Sequence, residues 1–276
     1  MKLKNAVYRG AEGRESLIDL ETPDKVRCED IVVFVHGYKG FKDWGCWNMV
    51  QQYFIDRGIG FCKMNLSHNG GTVDEPIDFP DLDAFGDNRY SYEVKDIEEV
   101  MEWIMNQLEE LDINLHLIGH SRGGGDVILT GHHPRVKSVI TWAGIDSIPA
   151  RFPEGEELEK WRKEGVRHVK NGRTGQEMPH RFSMYEDWEQ HKEALSIEKK
   201  AQQLDKPTLH LHGDIDEAVS ITASENLSRW TEGKMIVIRD ANHTFGSKHP
   251  FEDDHLPPKL YEVCSLTLQF IEKQGN

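Results

Sequence analysis

The sequence predicts an α/β protein with a mostly parallel central sheet and helices on both of its faces. Three observations carry that prediction. From about Asp30 onward, short apolar runs alternate with longer amphipathic segments, the order expected of a parallel sheet covered by helices. The apolar runs are short and rich in Val, Ile, Leu and Phe, as strands buried on both faces are. A chain of 276 residues can bury a sizeable core without disulfide or metal staples, and suits one large domain carrying an insertion.

In chain order, Ala6–Arg9 and Ser16–Leu20 read as an antiparallel hairpin at the sheet edge. The strands that follow are Ile31–Val35, Ile59–Asn65, Asn114–Ile118, Val136–Trp142, Pro207–Leu211 and Lys234–Ile238. Between and after them fall the predicted helices Trp44–Asp56, Ser91–Glu110, Gly123–Gly131, Glu217–Trp230 and Leu256–Lys273. In the second of these, Val94, Ile97, Val100, Ile104 and Leu108 recur at three- and four-residue steps and form an apolar stripe. The alternation breaks between about Asp146 and Leu204. That stretch holds Glu154, Glu156 and Glu157, then a basic run through Lys160, Arg162, Lys163, Arg167, Lys170 and Arg173. It is too long for a plain connection between helix and strand, and is expected to be a mostly helical cap inserted into a single domain spanning residues 1–276.

Composition limits the partners. A hydrophobic fraction of 37% with 29% charged residues is too apolar for a disordered chain and too polar for a membrane one. The formal net charge of −15 argues against nucleic acid or an anionic membrane surface. The four cysteines, Cys28, Cys46, Cys62 and Cys264, form no CxxC pair and no metal-like spacing, and are expected to be buried as small hydrophobes. No apolar stretch approaches a membrane span, and the N-terminal residues lack the apolar core of a secretory signal. A cytoplasmic location is therefore expected.

The chemistry-bearing segment is Leu115–Gly125, LHLIGHSRGGG, in which Gly119, Ser121 and Gly123 occupy the positions of G-x-S-x-G. A nucleophile on a sharp strand-to-helix turn crowds the residues two before and two after it. Glycine relieves the crowding, and the turn lifts the serine hydroxyl clear of the sheet. An apolar strand precedes this motif and a helix-compatible segment follows it, so Ser121 is the candidate nucleophile. A serine hydroxyl needs a base within hydrogen-bond reach. With fourteen histidines in the chain, only position discriminates among them. Two late strands run into loops carrying suitable groups: His212–Val219 supplies Asp214, Asp216 and Glu217, and Asp240–Phe245 supplies His243. Both loops fall at the carboxyl ends of strands, where open parallel sheets bind ligands.

Taken together, these segments resemble the α/β-hydrolase superfamily over almost the whole chain. That resemblance implies the chain order serine, acid, histidine, and hence His243 as base. Its acid-loop pattern H-G-x-x-D-x-x-V falls on His212, Gly213, Asp216 and Val219, and selects Asp216 over Asp214. It also implies two backbone N–H donors for an oxyanion. One is Arg122, after the nucleophile; the other is Tyr38, in the His36-Gly37-Tyr38 turn that resembles the superfamily's H-G-x loop. His36 is read as orienting that loop. Within the superfamily, HGYKGFKDW (36–44), NLSHNGGT (65–72), GHSRGGG (119–125) and NHTFGSKHP (242–250) resemble the dienelactone hydrolase and cinnamoyl esterase branch. True dienelactone hydrolases carry cysteine as nucleophile, so Ser121 points to ester chemistry instead.

The resemblance implies a serine hydrolase acting on a small-molecule carboxylic ester, with no cofactor and no metal. Thioester, amide or peptide hydrolysis and acyl transfer remain open on the same residues, as does a non-catalytic binding role for the scaffold. The pairs His132/His133 and His210/His212 lack further ligands at metal-binding spacing. Ser67–Thr72 either rims the pocket or forms a structural turn. The basic run of the cap either adds positive charge near the pocket or faces water from an amphipathic helix whose Trp161, Val166 and Val169 pack down.

Overall fold

The computed structural model describes residues 1–23, 28–109 and 112–274. In chain order the elements are β1 (Lys2–Arg9), β2 (Glu15–Glu21), β3 (Asp30–Val35), α1 (Trp47–Ile55), β4 (Gly60–Met64), α2 (Leu82–Asp87), α3 (Tyr90–Gln107), β5 (Asn114–His120), α4 (Arg122–Thr130) and β6 (Val136–Trp142). Then come α5 (Gly155–Glu164), β7 (Val166–Lys170), β8 (Glu177–Arg181), α6 (Ser183–Gln190), α7 (Ile197–Gln203), β9 (Thr208–Gly213), α8 (Ile221–Thr231), β10 (Lys234–Ile238) and α9 (Pro258–Glu272). Every strand and helix read from the sequence is present within a few residues. The predicted end of the long helix, Glu110, lies outside the described residues.

Eight strands form one sheet in the order β1-β2-β4-β3-β5-β6-β9-β10. From β4 to β10 all neighbours are parallel, and the β1–β2 hairpin joins antiparallel to β4. The period of two along each strand divides the apolar residues between the two faces. Ile31, Val33 and Val35 of β3 enter one core with α3, α4 and α8. Val32 and Phe34 enter the other, with α1 and α9. Among the described residues no helix is long and apolar enough to cross a membrane.

The insertion is mostly helical, as expected, but not wholly so. Besides α5, α6 and α7 it contains the antiparallel β7–β8 hairpin, a separate two-stranded sheet. Gly165, at φ +73, ends α5 in the left-handed region that favours glycine. The basic run therefore crosses from a helix into a strand rather than following one amphipathic helix. Trp161 is buried and donates from Nε1 to the His180 carbonyl at 2.7 Å, while Phe152, Phe182 and Tyr185 pack around its ring.

One buried ion network anchors the loop after β3. Lys42 and Lys63 lie fully buried against Asp19 of β2, at 3.0 and 2.7 Å, and both also reach Asp43. Lys42 N–H donates to Asn65 Oδ1 at 2.6 Å. Burial opposes ionisation of Asp19, but Lys63, the Asn5 N–H and Lys42 outweigh it and hold its carboxyl below the ordinary range. Asp43 is lowered in the same way. Removing one member leaves an uncompensated buried charge, so Asp19→Ala is expected to cost about 3–5 kcal/mol in urea unfolding at neutral pH. Because the folded carboxyls titrate below their unfolded value, this contribution is full above roughly pH 4–5 and is lost as pH falls through the depressed folded values. A loss under about 1 kcal/mol would show that the network is not coupled to folding.

Candidate active site

The site is built where β5 ends and α4 begins. β5 runs two residues further than predicted, to His120, and delivers Ser121 directly onto the turn. Ser121 sits at φ 57, ψ −116, a region non-glycine residues rarely occupy and that persists only where the surroundings enforce it. Its N–H donates to the Trp142 carbonyl, and its own carbonyl accepts from Gly124 and Ile145 N–H. The flanking glycines are required by space. A Cβ on Gly119 would lie 2.0 Å from the Gly123 carbonyl oxygen, and one on Gly123 would lie 2.5 Å from that of Val35.

His243 follows β10, and Asp216 follows β9. His243 Nδ1 lies 2.7 Å from Asp216 Oδ2, while Asp216 Oδ1 accepts from Ala218 and Val219 N–H at 2.8 and 3.0 Å. His212 Nε2 stands 3.2 Å from the same carboxylate. Burial works against charge on Asp216, yet hydrogen bonds from His212, His243 and Val219 N–H hold its carboxyl well below the ordinary carboxylate range. Asp214 and Glu217, its rivals in the sequence, are exposed. His120 Nε2 donates to the His243 carbonyl at 2.9 Å, and their rings lie 4.9 Å apart. Burial, then the neighbouring His243, lowers His120 to about 3, so it is neutral at physiological pH.

The His36–Gly40 loop passes close by. A Cβ on Gly37 would lie 2.8 Å from Ser121 Cβ. His36 Nδ1–H donates to the Gly37 carbonyl and Nε2 accepts from Leu66 N–H; burial lowers its pKa to about 4. His36 thus holds the loop as a neutral ring. Among the described residues, neither Tyr38 N–H nor Arg122 N–H has a hydrogen-bond partner, and Arg122 N–H belongs to the first turn of α4, where no helical carbonyl can reach it. The loop 242–250 docks onto the segment after this one: Gly45 N–H donates to His249 Nδ1, and Cys46 N–H to Ser247 Oγ.

Two cavities meet at Tyr38, Ser121 and His243. The larger, about 410 Å³, is walled by Tyr90 and by the insertion residues Arg151, Phe152, Arg167, His180 and Met184. The smaller, about 260 Å³, is walled by Trp44, Trp47, Asn171 and Arg173. Sequence reasoning missed Tyr90, Arg151 and His180, which carry no motif. His180 Nε2 is 2.7 Å from Tyr38 Oη, and burial, then Arg122 and Arg167, lowers it to about 3. Ser67–Thr72 lines neither cavity. It forms a turn tied by Ser67 N–H to Asp96 and by Gly71 N–H to Asn69 Oδ1. His210 bonds Thr141 and Thr231, and among the described residues no cluster of His, Cys, Asp or Glu could hold a metal ion.

No protein-family profile and no curated protein matches this sequence. Solved structures do. Est1E from Butyrivibrio proteoclasticus is 17% identical with a TM-score of 0.70, covering 99% of each chain; it has also been solved with ferulic acid bound. Dienelactone hydrolase from Anabaena variabilis is 15% identical with a TM-score of 0.63, covering 99% of this chain and 98% of that one. An esterase of Pyrococcus furiosus is 12% identical with a TM-score of 0.63, covering 99% and 92%. The strand order, the strained turn at Ser121 and these likenesses together show that the chain has the α/β-hydrolase fold.

Proposed function

We propose that the protein is a serine hydrolase that cleaves carboxylic esters of small molecules through Ser121, His243 and Asp216. The carrying observation is the meeting of the strained Ser121 turn with the His243–Asp216 pair where two cavities join. With Nδ1 bound to Asp216, His243 keeps Nε2 to take the Ser121 proton. Ser121 Oγ then bonds to the carbonyl carbon, and the oxyanion accepts from Tyr38 and Arg122 N–H. The carbon–oxygen bond to the alcohol breaks, and His243 returns the proton to the departing oxygen. Water, deprotonated by His243, next releases the acid from Ser121. The larger cavity suits the acyl group and the smaller one the alcohol. The insertion acts as the cap over this site.

Esters are favoured over amides because the structural neighbours include proteins called esterases, and the ferulic acid complex of Est1E makes hydroxycinnamoyl esters worth testing. The test is labelling with a fluorophosphonate, mapped by peptide mass, beside turnover of p-nitrophenyl acetate, hydroxycinnamoyl esters, thioesters and aminoacyl amides. One label per chain on Ser121, with esters turned over fastest, is the expected result. Absence of label, or label elsewhere, would overturn the reading.

A further inference from the structure

We propose that the larger cavity beside Ser121 contains an anion subsite made by Arg151, Arg167 and the Tyr90 hydroxyl, selecting acyl groups that end in a carboxylate. This inference rests on the reading of Ser121 as nucleophile and names the substrate class of that site.

Among the described residues three arginines line this cavity, and of these Arg122 alone has a carboxylate within ion-pair reach. Arg122 pairs with Glu93 at 3.2 Å, and its guanidinium lies over the rings of Tyr38 and Tyr90. Among the described residues the Arg151 guanidinium has one hydrogen bond, from Nη1 to the Ala218 carbonyl at 3.3 Å. Arg167 lies 4.6 Å from the Trp161 ring centre, and burial lowers its pKa against the opposing influence of Tyr38 and Glu157. Among the described residues, neither Arg151 nor Arg167 has a carboxylate within ion-pair reach. The Nε of each is buried without an acceptor, and so is the Tyr90 hydroxyl. Burial raises Tyr90 to about 12, so it remains a donor at neutral pH.

The contrast with the rest of the chain gives this arrangement its meaning. The protein has 48 acidic residues against 33 basic ones, so carboxylates are plentiful, yet none of the described ones is set against these two guanidinium groups. Unpaired buried donors are costly, and charged ones more so. A planar carboxylate is the acceptor that fits guanidinium forks and a hydroxyl together. Ile145, Phe152, Val169, Met184 and Val219 add apolar wall to the same cavity and suit a hydrocarbon stem. The expected substrate is therefore a half-ester of a dicarboxylic acid. Its hydrolysis at Ser121 takes up one water and yields the free diacid and the alcohol.

The experiment compares kcat/KM for p-nitrophenyl half-esters of straight-chain dicarboxylic acids with equal-length esters ending in a carboxamide. A third arm carries a terminal phosphonate. Wild-type protein is expected to prefer the carboxylate by about tenfold or more, and the preference is expected to fall about 10- to 100-fold in Arg151→Met/Arg167→Met. Methionine keeps the apolar stem while removing the unpaired charge. As a readout independent of turnover, the free dicarboxylate should bind Ser121→Ala protein by calorimetry, and bind at least about tenfold more weakly once both arginines are replaced. If fluorophosphonate fails to label Ser121, the hydrolase reading falls. If the label and carboxamide-ester turnover are present but the wild-type preference is absent, or survives in the double variant, the subsite falls alone. Preference for the phosphonate over the carboxylate would overturn the assigned class.

Discussion

Ser121→Ala is expected to lower kcat by roughly 10⁴- to 10⁶-fold while leaving the fold and ligand affinity nearly unchanged. On the proposed mechanism the size of the loss follows from Ser121 belonging to a group that acts as a unit, since removing one member forfeits the whole covalent route. Structure should survive because the Ser121 hydroxyl has no hydrogen-bond partner among the described residues. What defines the turn is the backbone, held by the Ser121 N–H to Trp142 and its carbonyl to Gly124 and Ile145, and alanine keeps all three bonds. The strained φ of 57 is no worse for alanine than for serine, so a melting shift of only about 2–3 °C is expected. Steady-state kinetics on p-nitrophenyl acetate, with calorimetric binding of the acid product, separates the two effects. More than about one per cent of wild-type kcat would place the nucleophile elsewhere. Normal kcat lost together with binding would mean that the variant had disturbed the cavity instead.

The fold was largely legible because its signals are local. Strands buried on both faces read as continuous apolar runs, and β3, with the run Ile31–Val35, divides its side chains between two cores as that reading requires. The turn at Ser121 was legible for a steric reason: the spaces a Cβ would need at Gly119 and Gly123 are filled by backbone oxygens. The insertion was less legible. Its β7 strand, VRHVK, is only five residues long and only partly buried, too short for periodicity to separate from a helix end. The Asn171-Gly172 pair between β7 and β8 is a turn signal that could have revealed the hairpin. The walls of the larger cavity were not legible at all. Tyr90 opens a helix, Arg151 follows β6 and His180 lies on β8, and only tertiary packing brings them together. Within the basic run, Arg167 reaches that cavity while Lys160, Arg162, Lys163 and Lys170 do not, because the run changes from helix to strand at Gly165.

Asp216→Asn is expected to lower kcat about 10⁴-fold, whereas Asp214→Asn should cost less than about tenfold. The asymmetry comes from hydrogen-bond direction. Asp216 Oδ1 accepts from Ala218 and Val219 N–H, so an asparagine would keep its oxygen on those two donors. Its amide nitrogen would then face His243 Nδ1, 2.7 Å away, with a donor where the ring now meets a carboxylate. To avoid two opposed N–H groups, the imidazole must adopt the tautomer that is protonated on Nε2, and that nitrogen can no longer take a proton from Ser121 as the proposed mechanism requires. The loop itself should hold, because its backbone bonds to Asp216 Oδ1 are retained. His212, the other neighbour of this carboxylate, keeps its bonds to Ser224 Oγ and the Val219 carbonyl. Asp214 is exposed, and its backbone N–H, which the substitution leaves intact, bonds the Ile238 carbonyl. The measurement is kcat for both variants together with the rate of fluorophosphonate labelling, which should fall in parallel for Asp216→Asn because it also needs a deprotonated serine. Equal losses in the two variants, or a larger one at Asp214, would remove Asp216 from the role of acid.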